Sequence, residues 1–274
     1  MVWFSGMLAL LRTGVPDGLS WEQRKRLNRW IKRRGLGPRL ASLQLEKVLG
    51  GPELGPARAL LDSISDRPLV FIISYQKTGT RSVHDYLERL GLRGLHWPVF
   101  VNCGIHYAEL LTPYVGDSRR CVAALAPVLA RYDFFGDVPF PGLHECLAET
   151  FPASRFIVVE REPEKWWDSL SRHWNLSEGD HVFGALEAIQ YGLPVGSVVK
   201  PSDRDALIRN YCEHLDAVNR TFAGSGRLLR THLEDPEINR AISSFLGFAA
   251  VPDFPHIRKG AVHRSSRRCA GVGP

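Results

Sequence analysis

The sequence predicts an α/β fold: a single three-layer domain in which a mostly parallel sheet of about five strands lies between crossover helices. Short apolar runs typical of buried strands alternate with stretches of helical periodicity, as they do in parallel sheets. With 274 residues, 44% of them hydrophobic and 23% charged, the chain is long enough for one large core. The predicted strands span residues 69–74, 94–100, 132–135, 155–159 and 228–232.

The N-terminal part of the chain carries the basic excess. Residues 1–60 hold 11 Lys and Arg against 4 Asp and Glu, whereas the remainder has a balance of −1. We therefore expect a basic helical extension over residues 1–66, the main domain over 67–262 and a disordered basic tail over 263–274. Residues 20–35, SWEQRKRLNRWIKRRG, predict a basic amphipathic helix with a capping box at Ser20 and Gln23 and a stop at Gly35. It either docks on the domain through Trp30 or contacts an anionic membrane, and no nucleic acid is expected as a partner because no nucleic-acid-binding fold accompanies it.

The first predicted strand leads into the loop SYQKTGTRS at residues 74–82, and a helical pattern follows. This order directs backbone N–H groups and the positive end of a helix dipole at the loop, and Lys77 adds a full charge. The loop therefore predicts an anion site; a capped helix with a solvated lysine, and with Thr80 or Ser82 binding backbone donors, is the alternative. Lys77 precedes Gly79, whereas the lysine of ATP- and GTP-binding loops follows a glycine, so the order disfavours that class.

Two further cationic segments follow along the chain. Arg161 comes after the fourth predicted strand, at the edge where open α/β sheets bind ligands; Pro163 suits a first helical turn, and Ser169 lies two turns further. An arginine grips a phosphate with two hydrogen bonds, although Arg161 could instead pair with a neighbouring glutamate. Near the C-terminus the segment Arg258-Lys259-Gly260 joins two cations to a glycine that permits close backbone approach.

Taken in order, these motifs resemble those of sulfotransferases that use 3′-phosphoadenosine 5′-phosphosulfate (PAPS). Lys-Thr-Gly-Thr at 77–80 is similar to their 5′-phosphosulfate loop, and R-x-P-x-x-W-x-x-S at 161–169 is similar to their 3′-phosphate element. Arg-Lys-Gly at 258–260 resembles the segment that folds over the 3′-phosphate. The resemblance covers roughly residues 67–260, is to the branch with a D-x-P segment (here Asp137-Val138-Pro139), and implies a P-loop-like sulfotransferase architecture.

The resemblance also implies roles for individual residues. Lys77 would neutralise the leaving oxygen, and the 5′ end of PAPS would be bound by Lys77, Thr78, Gly79, Thr80, Arg81 and Ser82. The 3′-phosphate would be bound by Arg161, Ser169, Arg258, Lys259 and Gly260. PAPS is the expected co-substrate, and no metal is expected.

The sequence leaves the general base and the acceptor contacts open. In members of the resembled family a histidine or glutamate acts as the base, and Asp137, at the end of the third predicted strand, occupies a comparable place and is favoured. His96 and His106 are alternatives because histidine has a suitable pKa. Many relatives place an aromatic residue for adenine stacking where this chain has Ser82. Candidates to line the acceptor cleft are Trp97, Trp166 and Trp167.

The predicted function is sulfuryl transfer by in-line displacement from PAPS to a hydroxyl or amine of a small molecule, lipid or carbohydrate. An ATP-dependent small-molecule kinase and an inactive member that binds 3′-phosphoadenosine 5′-phosphate (PAP) or a membrane are the alternatives. Five cysteines without C-x-x-C spacing disfavour a disulfide framework or zinc site and favour a reducing compartment. Residues 1–11 are apolar but too few to span a bilayer and lack the features of a signal peptide, so we expect a cytoplasmic protein with possible peripheral membrane contact.

Overall fold

The computed structural model of the chain describes residue 26 and residues 29–31, 33–97 and 106–255. Two predictions therefore lie outside the described residues: the Arg258-Lys259-Gly260 segment and the C-terminal tail. The predicted basic helix at 20–35 is described only from residue 26 onward and with gaps.

A five-stranded parallel sheet forms the centre of the fold. Its strands are β1 (Val70–Ile72), β2 (Gly94–His96), β3 (Phe134–Gly136), β4 (Arg155–Glu160) and, after the two short strands β5 (His181–Val182) and β6 (Val198–Val199), β7 (Leu228–His232). The strand order is β2-β3-β1-β4-β7, and every pairing is parallel. The predicted α/β class and the five predicted strands are confirmed, but β2 ends at His96 because the chain turns at Trp97 (φ 62°). β5 and β6 form a separate two-stranded antiparallel sheet that the sequence pattern did not predict.

Helices cover both faces of the sheet. In chain order they are α1 (Gly37–Leu49), α2 (Gly55–Ser63), α3 (Thr80–Arg89), α4 (Tyr107–Leu110), α5 (Ser118–Leu129), α6 (His144–Thr150), α7 (Pro163–Trp174), α8 (Ala185–Tyr191), α9 (Arg204–Thr221) and α10 (Ile238–Leu246). The predicted Pro163 start of α7 is confirmed, because Pro163 is its first residue. α10 ends at Gly247, which is its C-cap in a left-handed conformation.

The sheet divides the apolar core into layers because successive strand residues point to opposite faces. On β1, Phe71 faces a cluster that α1, α2, α5 and α6 also line, whereas Val70 and Ile72 face a second cluster lined by α3 and α10. A third cluster of mostly aromatic residues lies between α7, α8 and α9. The predicted three-layer arrangement follows from this division.

Helices N-terminal to the sheet also contribute to the first cluster. Leu49 of α1 and Leu61 of α2 are buried in it, and Ile31 from the partly described basic segment is only 2% exposed. Arg26, Arg29, Arg33 and Arg34 are exposed. None of the described helices combines the length and apolar character that crossing a membrane requires.

Candidate functional site

The loop after β1, the residue after β3 and the residue after β4 meet at one edge of the sheet. Parallel strands bring their carboxyl ends to the same edge, and β1 lies between β3 and β4. Lys77, Asp137 and Arg161 therefore converge from three neighbouring strands. This edge is where open α/β sheets bind ligands.

The loop between β1 and α3 depends on two left-handed residues. Lys77 has φ 72° and Gly79 has φ 112°. Gly79 is the N-cap of α3, and since it has no side chain, no side-chain acceptor occupies the cap position. A Cβ at Gly79 would lie 2.9 Å from Cδ1 of Leu233, so glycine is also required for the close packing of the loop. The loop thus presents a helix N-terminus beside a lysine, as an anion site requires.

Hydrogen bonds connect this loop to the segment after β4. Arg161 Nη1 donates to the backbone carbonyl of Lys77 at 2.8 Å, and the indole of Trp166 donates to the carbonyl of Gln76 at 3.0 Å. The Tyr211 hydroxyl accepts from the Arg161 backbone N–H at 3.0 Å and lies 3.1 Å from the Arg161 carbonyl, to which it donates. The rings of Trp166 and Tyr211 stack with centroids 4.5 Å apart. The two predicted phosphate motifs are therefore one connected structure.

Burial shifts the pKa values of Lys77 and Asp137 in opposite directions. Partial burial lowers the pKa of Lys77; the carboxylate of Asp137 acts in the opposite direction, and the nearby charges of Arg161 and Arg172 lower it further. Burial raises the pKa of Asp137, whereas the backbone N–H of Val138, His173 and Lys77 act to lower it. The Val138 N–H donates to Asp137 Oδ1 at 2.8 Å. A carboxylate with a raised pKa is a stronger proton acceptor near neutral pH than an ordinary aspartate.

His96 lies between the loop and Asp137. Its Nδ1 is 3.5 Å from Asp137 Oδ2, and its Nε2 is 3.3 Å from the hydroxyl of Thr80. Burial and the charge of Arg81 lower the pKa of His96 to about 4, although Asp85 opposes them. The imidazole is therefore neutral near pH 7 and a weaker proton acceptor than an ordinary histidine.

The remaining predicted residues of the loop occupy different surroundings. Thr78 is buried and donates to the carbonyl of Tyr75 at 2.8 Å, and Thr80 and Ser82 are buried at the start of α3. Arg81 is exposed and pairs with Asp85 one turn along the helix at 2.9 Å. Ser169 is half-buried on α7, the helix that follows Arg161.

Three candidates from the sequence are not among the side chains that converge with Lys77, Asp137 and Arg161. His106 lies against α1, where its backbone N–H donates to Gln44 Oε1 at 2.9 Å. Trp166 and Trp167 were candidates to line the acceptor cleft, but they are 0% and 7% exposed and belong to the aromatic cluster. The indole N–H of Trp166 instead donates to the Gln76 carbonyl of the loop.

Two residues of the site were not predicted from the sequence. The helical spacing of Tyr211 predicts burial but gives no information about its contact with Arg161. His173 lies four residues after Ser169, on the same side of α7, and partial burial and the charge of Lys77 lower its pKa while Asp137 raises it. Its position one turn beyond a predicted phosphate ligand was the only signal in the sequence.

One group of possible metal ligands occurs among the described residues. His84, Asp85 and Glu88 of α3 bring ligand atoms within 4.8 Å of one another. Asp85 is paired with Arg81, and His84 Nε2 is 3.4 Å from Glu88 Oε1. These contacts account for the group without an ion.

The chain matches one known protein family and several solved structures. The family model of the sulfotransferase domain matches residues 69–263. Similar solved structures include a sulfotransferase from Alicyclobacillus acidocaldarius, with 18% identity over 69% of this chain and 85% of that chain and a TM-score of 0.43. A sulfotransferase from Mycobacterium avium has 14% identity, coverage of 90% and 79%, and a TM-score of 0.47. One from Mycobacterium tuberculosis has 15% identity, coverage of 92% and 84%, and a TM-score of 0.44. A comparison with curated proteins finds no match.

Proposed function

The chain belongs to the sulfotransferase family, and from this premise we propose that it transfers the sulfuryl group of PAPS to a hydroxyl or amine and releases PAP. The observation that carries the proposal is the 2.8 Å hydrogen bond from Arg161 Nη1 to the carbonyl of Lys77. It connects the two segments that the family resemblance assigns to opposite ends of the same nucleotide.

The donor would bind across these two segments. Lys77 and the N-terminus of α3 suit the 5′-phosphosulfate because both attract negative charge. Arg161 suits the 3′-phosphate: a guanidinium has five N–H donors, and the bond to the Lys77 carbonyl uses only one of them. Ser169 would add a neutral donor from α7, and the segment at 258–260 is proposed to complete the site.

The chemical step is a displacement at sulfur. The acceptor oxygen or nitrogen forms a bond to sulfur while the bond from sulfur to the 5′-phosphate oxygen breaks. Lys77 stabilises the charge that develops on that leaving oxygen, and Asp137 takes the proton of the acceptor. The raised pKa of Asp137 favours this role over His96, whose pKa is lowered to about 4. His96, between Thr80 and Asp137, would hold the carboxylate in place.

The acceptor, the cellular location and the domain limits are also proposals. We propose a small molecule, lipid or carbohydrate as the acceptor and the cytoplasm as the location. Residues 1–66 would form an N-terminal extension, residues 67–262 the catalytic domain and residues 263–274 a C-terminal tail. The basic segment at 20–35 of the extension would contact an anionic membrane.

Calorimetric titration with PAP tests the donor site. We expect Lys77→Ala and Arg161→Ala each to weaken PAP binding at least about ten-fold, since hydrogen bonds to charged groups contribute about 1.5–3 kcal/mol. Arg93→Ala is the matched control: Arg93 precedes β2 at the opposite edge of the sheet, where it pairs with Asp133, and its loss should leave PAP affinity within about two-fold. Absence of PAP binding, or equal effects of all three variants, would refute the proposal.

A second experiment distinguishes PAP binding from sulfuryl transfer. Asp137→Asn should retain PAP affinity within about three-fold but lose transfer of labelled sulfate, because the amide cannot take a proton at neutral pH. Full transfer activity in this variant would exclude Asp137 as the base.

A further inference from the structure

Three buried side chains beside the loop lack hydrogen-bond partners. Gln76 is 8% exposed, Gln190 3% and Tyr191 2%. Gln76 Nε2, both polar side-chain atoms of Gln190 and the Tyr191 hydroxyl bond to no atom in the part of the chain that the structure describes. Leaving a buried polar atom without a partner is unfavourable, so such atoms are uncommon unless water or a ligand satisfies them.

The unpartnered atoms lie close together. The Tyr191 ring packs edge-on against Tyr75 with centroids 5.0 Å apart, and Tyr75 and Gln76 are adjacent in the loop. Burial and Tyr75 raise the pKa of Tyr191 well above its ordinary value, and the side-chain amides of Gln190 and Gln76 act in the opposite direction. Both amides are therefore near the Tyr191 hydroxyl, although neither reaches hydrogen-bond geometry with it.

The main chain that carries these side chains is fixed. The Trp166 indole donates to the Gln76 carbonyl at 3.0 Å, and Asn210 Nδ2 donates to the Tyr191 carbonyl at 3.1 Å. The polar ends of the side chains are thus held near one another from anchored backbone, and they remain available to a ligand.

The chemistry of this set of atoms matches water. The two amide nitrogens donate, the Gln190 side-chain oxygen accepts, and the Tyr191 hydroxyl, which stays protonated, can do either. None of these groups is charged, so an ion would lose its hydration without gaining an opposite charge. Because all three side chains are buried, little surface is open to a larger molecule, whereas a buried water typically makes about three hydrogen bonds to such groups.

The polar cluster of Gln76, Gln190 and Tyr191 lies beside Asp137. α8, which ends at Tyr191, packs against the segment that follows Asp137: a Cβ at Gly142 would lie 2.2 Å from the Ile189 carbonyl oxygen. The charge of Asp137 also acts on the Tyr191 hydroxyl.

Side chains from four elements face Asp137. They are Lys77 from the loop after β1, His96 from β2, His173 from α7 and Tyr191 from α8. Lys77 and His173 favour the charged carboxylate, and burial opposes it. A neutral donor on the side of Tyr191 would act together with Lys77 and His173.

We propose that Gln76, Gln190 and Tyr191 hold a resident water molecule that donates a hydrogen bond to the Asp137 carboxylate. The water fixes the carboxylate and favours its charged form, which is the form that accepts a proton. The three side chains are therefore positioning residues that act on Asp137 through the water. Their effect on catalysis rests on the proposed function, whereas the water site itself does not.

A crystal structure of the wild-type protein, at a resolution that shows ordered water, tests the site. We expect water density about 2.7–3.2 Å from the Tyr191 hydroxyl, from one of the two amides and from an Asp137 oxygen. Direct hydrogen bonds among these side chains with no water between them, or another molecule at this position, would overturn the inference. This experiment needs no variant, so it decides the water site even where a substitution prevents folding.

A pH titration measures the effect on Asp137. The protein is labelled with ¹³C at the aspartate carboxyl carbon, and Asp137→Asn identifies the Asp137 resonance by its disappearance. Tyr191→Phe and Gln190→Met each remove part of the water site. Each should raise the midpoint of the Asp137 titration by at least about 0.5 pH unit, a roughly three-fold change in its protonation constant, because the carboxylate loses a hydrogen bond.

Tyr114→Phe is the matched control for this titration. The Tyr114 hydroxyl bonds to the Pro52 carbonyl in another cluster, so its loss should leave the Asp137 midpoint unchanged. If Tyr191→Phe raises the midpoint and Gln190→Met does not, the Tyr191 hydroxyl acts on Asp137 without a water and the inference is wrong. Neither experiment uses PAPS or an acceptor, so a failure of PAP binding overturns the proposed function and leaves the water site to be decided separately.

Discussion

The Tyr211 hydroxyl is the contact through which the protein core is expected to control donor binding. Tyr211 is fully buried, and its hydroxyl bonds to both the N–H and the carbonyl of Arg161 at 3.0 and 3.1 Å. Burial raises the pKa of Tyr211 to about 12, although the Arg161 N–H acts to lower it, so the hydroxyl stays protonated and can both donate and accept. Tyr211→Phe keeps the ring stack on Trp166 and removes only these two bonds.

The expected cost of this substitution has two parts. A buried polar group that loses its partner costs about 1–3 kcal/mol, so the free energy of unfolding measured in urea should fall by about 2 kcal/mol. Because the Arg161 backbone is then no longer fixed, PAP affinity measured by calorimetry should also fall about ten-fold, or about 1.4 kcal/mol. The effect on PAP binding requires no contact between Tyr211 and the nucleotide.

Tyr114→Phe provides the matched control for this prediction. Tyr114 is also buried and its hydroxyl donates to the Pro52 carbonyl at 3.3 Å, but Tyr114 lies in the cluster with α2 and α5. Its loss should reduce stability by about 1 kcal/mol and leave PAP affinity unchanged. If Tyr211→Phe binds PAP as well as the wild type does, or if both variants weaken it equally, the proposed support of Arg161 is wrong.

Two further predictions concern stability. Gly142→Ala should lower the free energy of unfolding in urea by about 1–3 kcal/mol, because the new Cβ would lie 2.2 Å from the Ile189 carbonyl oxygen. Gly226→Ala is the control and should be near neutral, because a Cβ at Gly226 meets nothing within 4 Å. Equal effects of the two substitutions would contradict this packing. Burial and the neighbouring His144 lower the pKa of His214 to about 4. As pH falls below about 6.5, His214 is therefore protonated in the unfolded state before it is protonated in the folded state, and the free energy of unfolding decreases toward pH 4. At pH 5 this residue alone should lower the free energy of unfolding by about 2 kcal/mol relative to pH 7. His214→Gln should reduce the difference in unfolding free energy between pH 7 and pH 5 by that amount, and an unchanged difference would contradict the prediction.

The centre of the sheet was predictable from the sequence because β1, β3 and most of β4 are buried on both faces. Such strands are continuous apolar runs, and the run at Val70–Ile72 leads to the loop that is proposed to bind the donor. The convergence of Lys77, Asp137 and Arg161 follows from parallel strands once their order is known. The small sheet of β5 and β6 was not predictable, because two paired residues on each strand are too few to show a period of alternation.

Contacts between distant residues were the part of the site that sequence patterns could not supply. The spacing of Trp166 and Tyr211 predicts apolar helix faces, but the polar atom of each ring bonds to a backbone group far away in sequence, 90 and 50 residues respectively. Helical periodicity carries no information about such pairs. For the same reason the sequence made Trp166 a candidate for the acceptor cleft, although in the structure its ring is buried and its indole N–H donates to the Gln76 carbonyl of the loop.

The bond between Arg161 and the Lys77 carbonyl has a consequence for how the site works. Lys77 is held in a left-handed conformation that a lysine seldom adopts, and the guanidinium of Arg161 holds the carbonyl of that same residue. Under the proposed function, Arg161 would both shape the loop for the 5′ end of the donor and offer its remaining N–H groups to the 3′-phosphate. Because Trp166 and Tyr211 fix the neighbouring backbone of Gln76 and Arg161, the geometry exists before the donor binds. A preformed site of this kind loses little conformational entropy on binding and keeps Lys77 at one position relative to sulfur, as an electrostatically stabilised displacement requires.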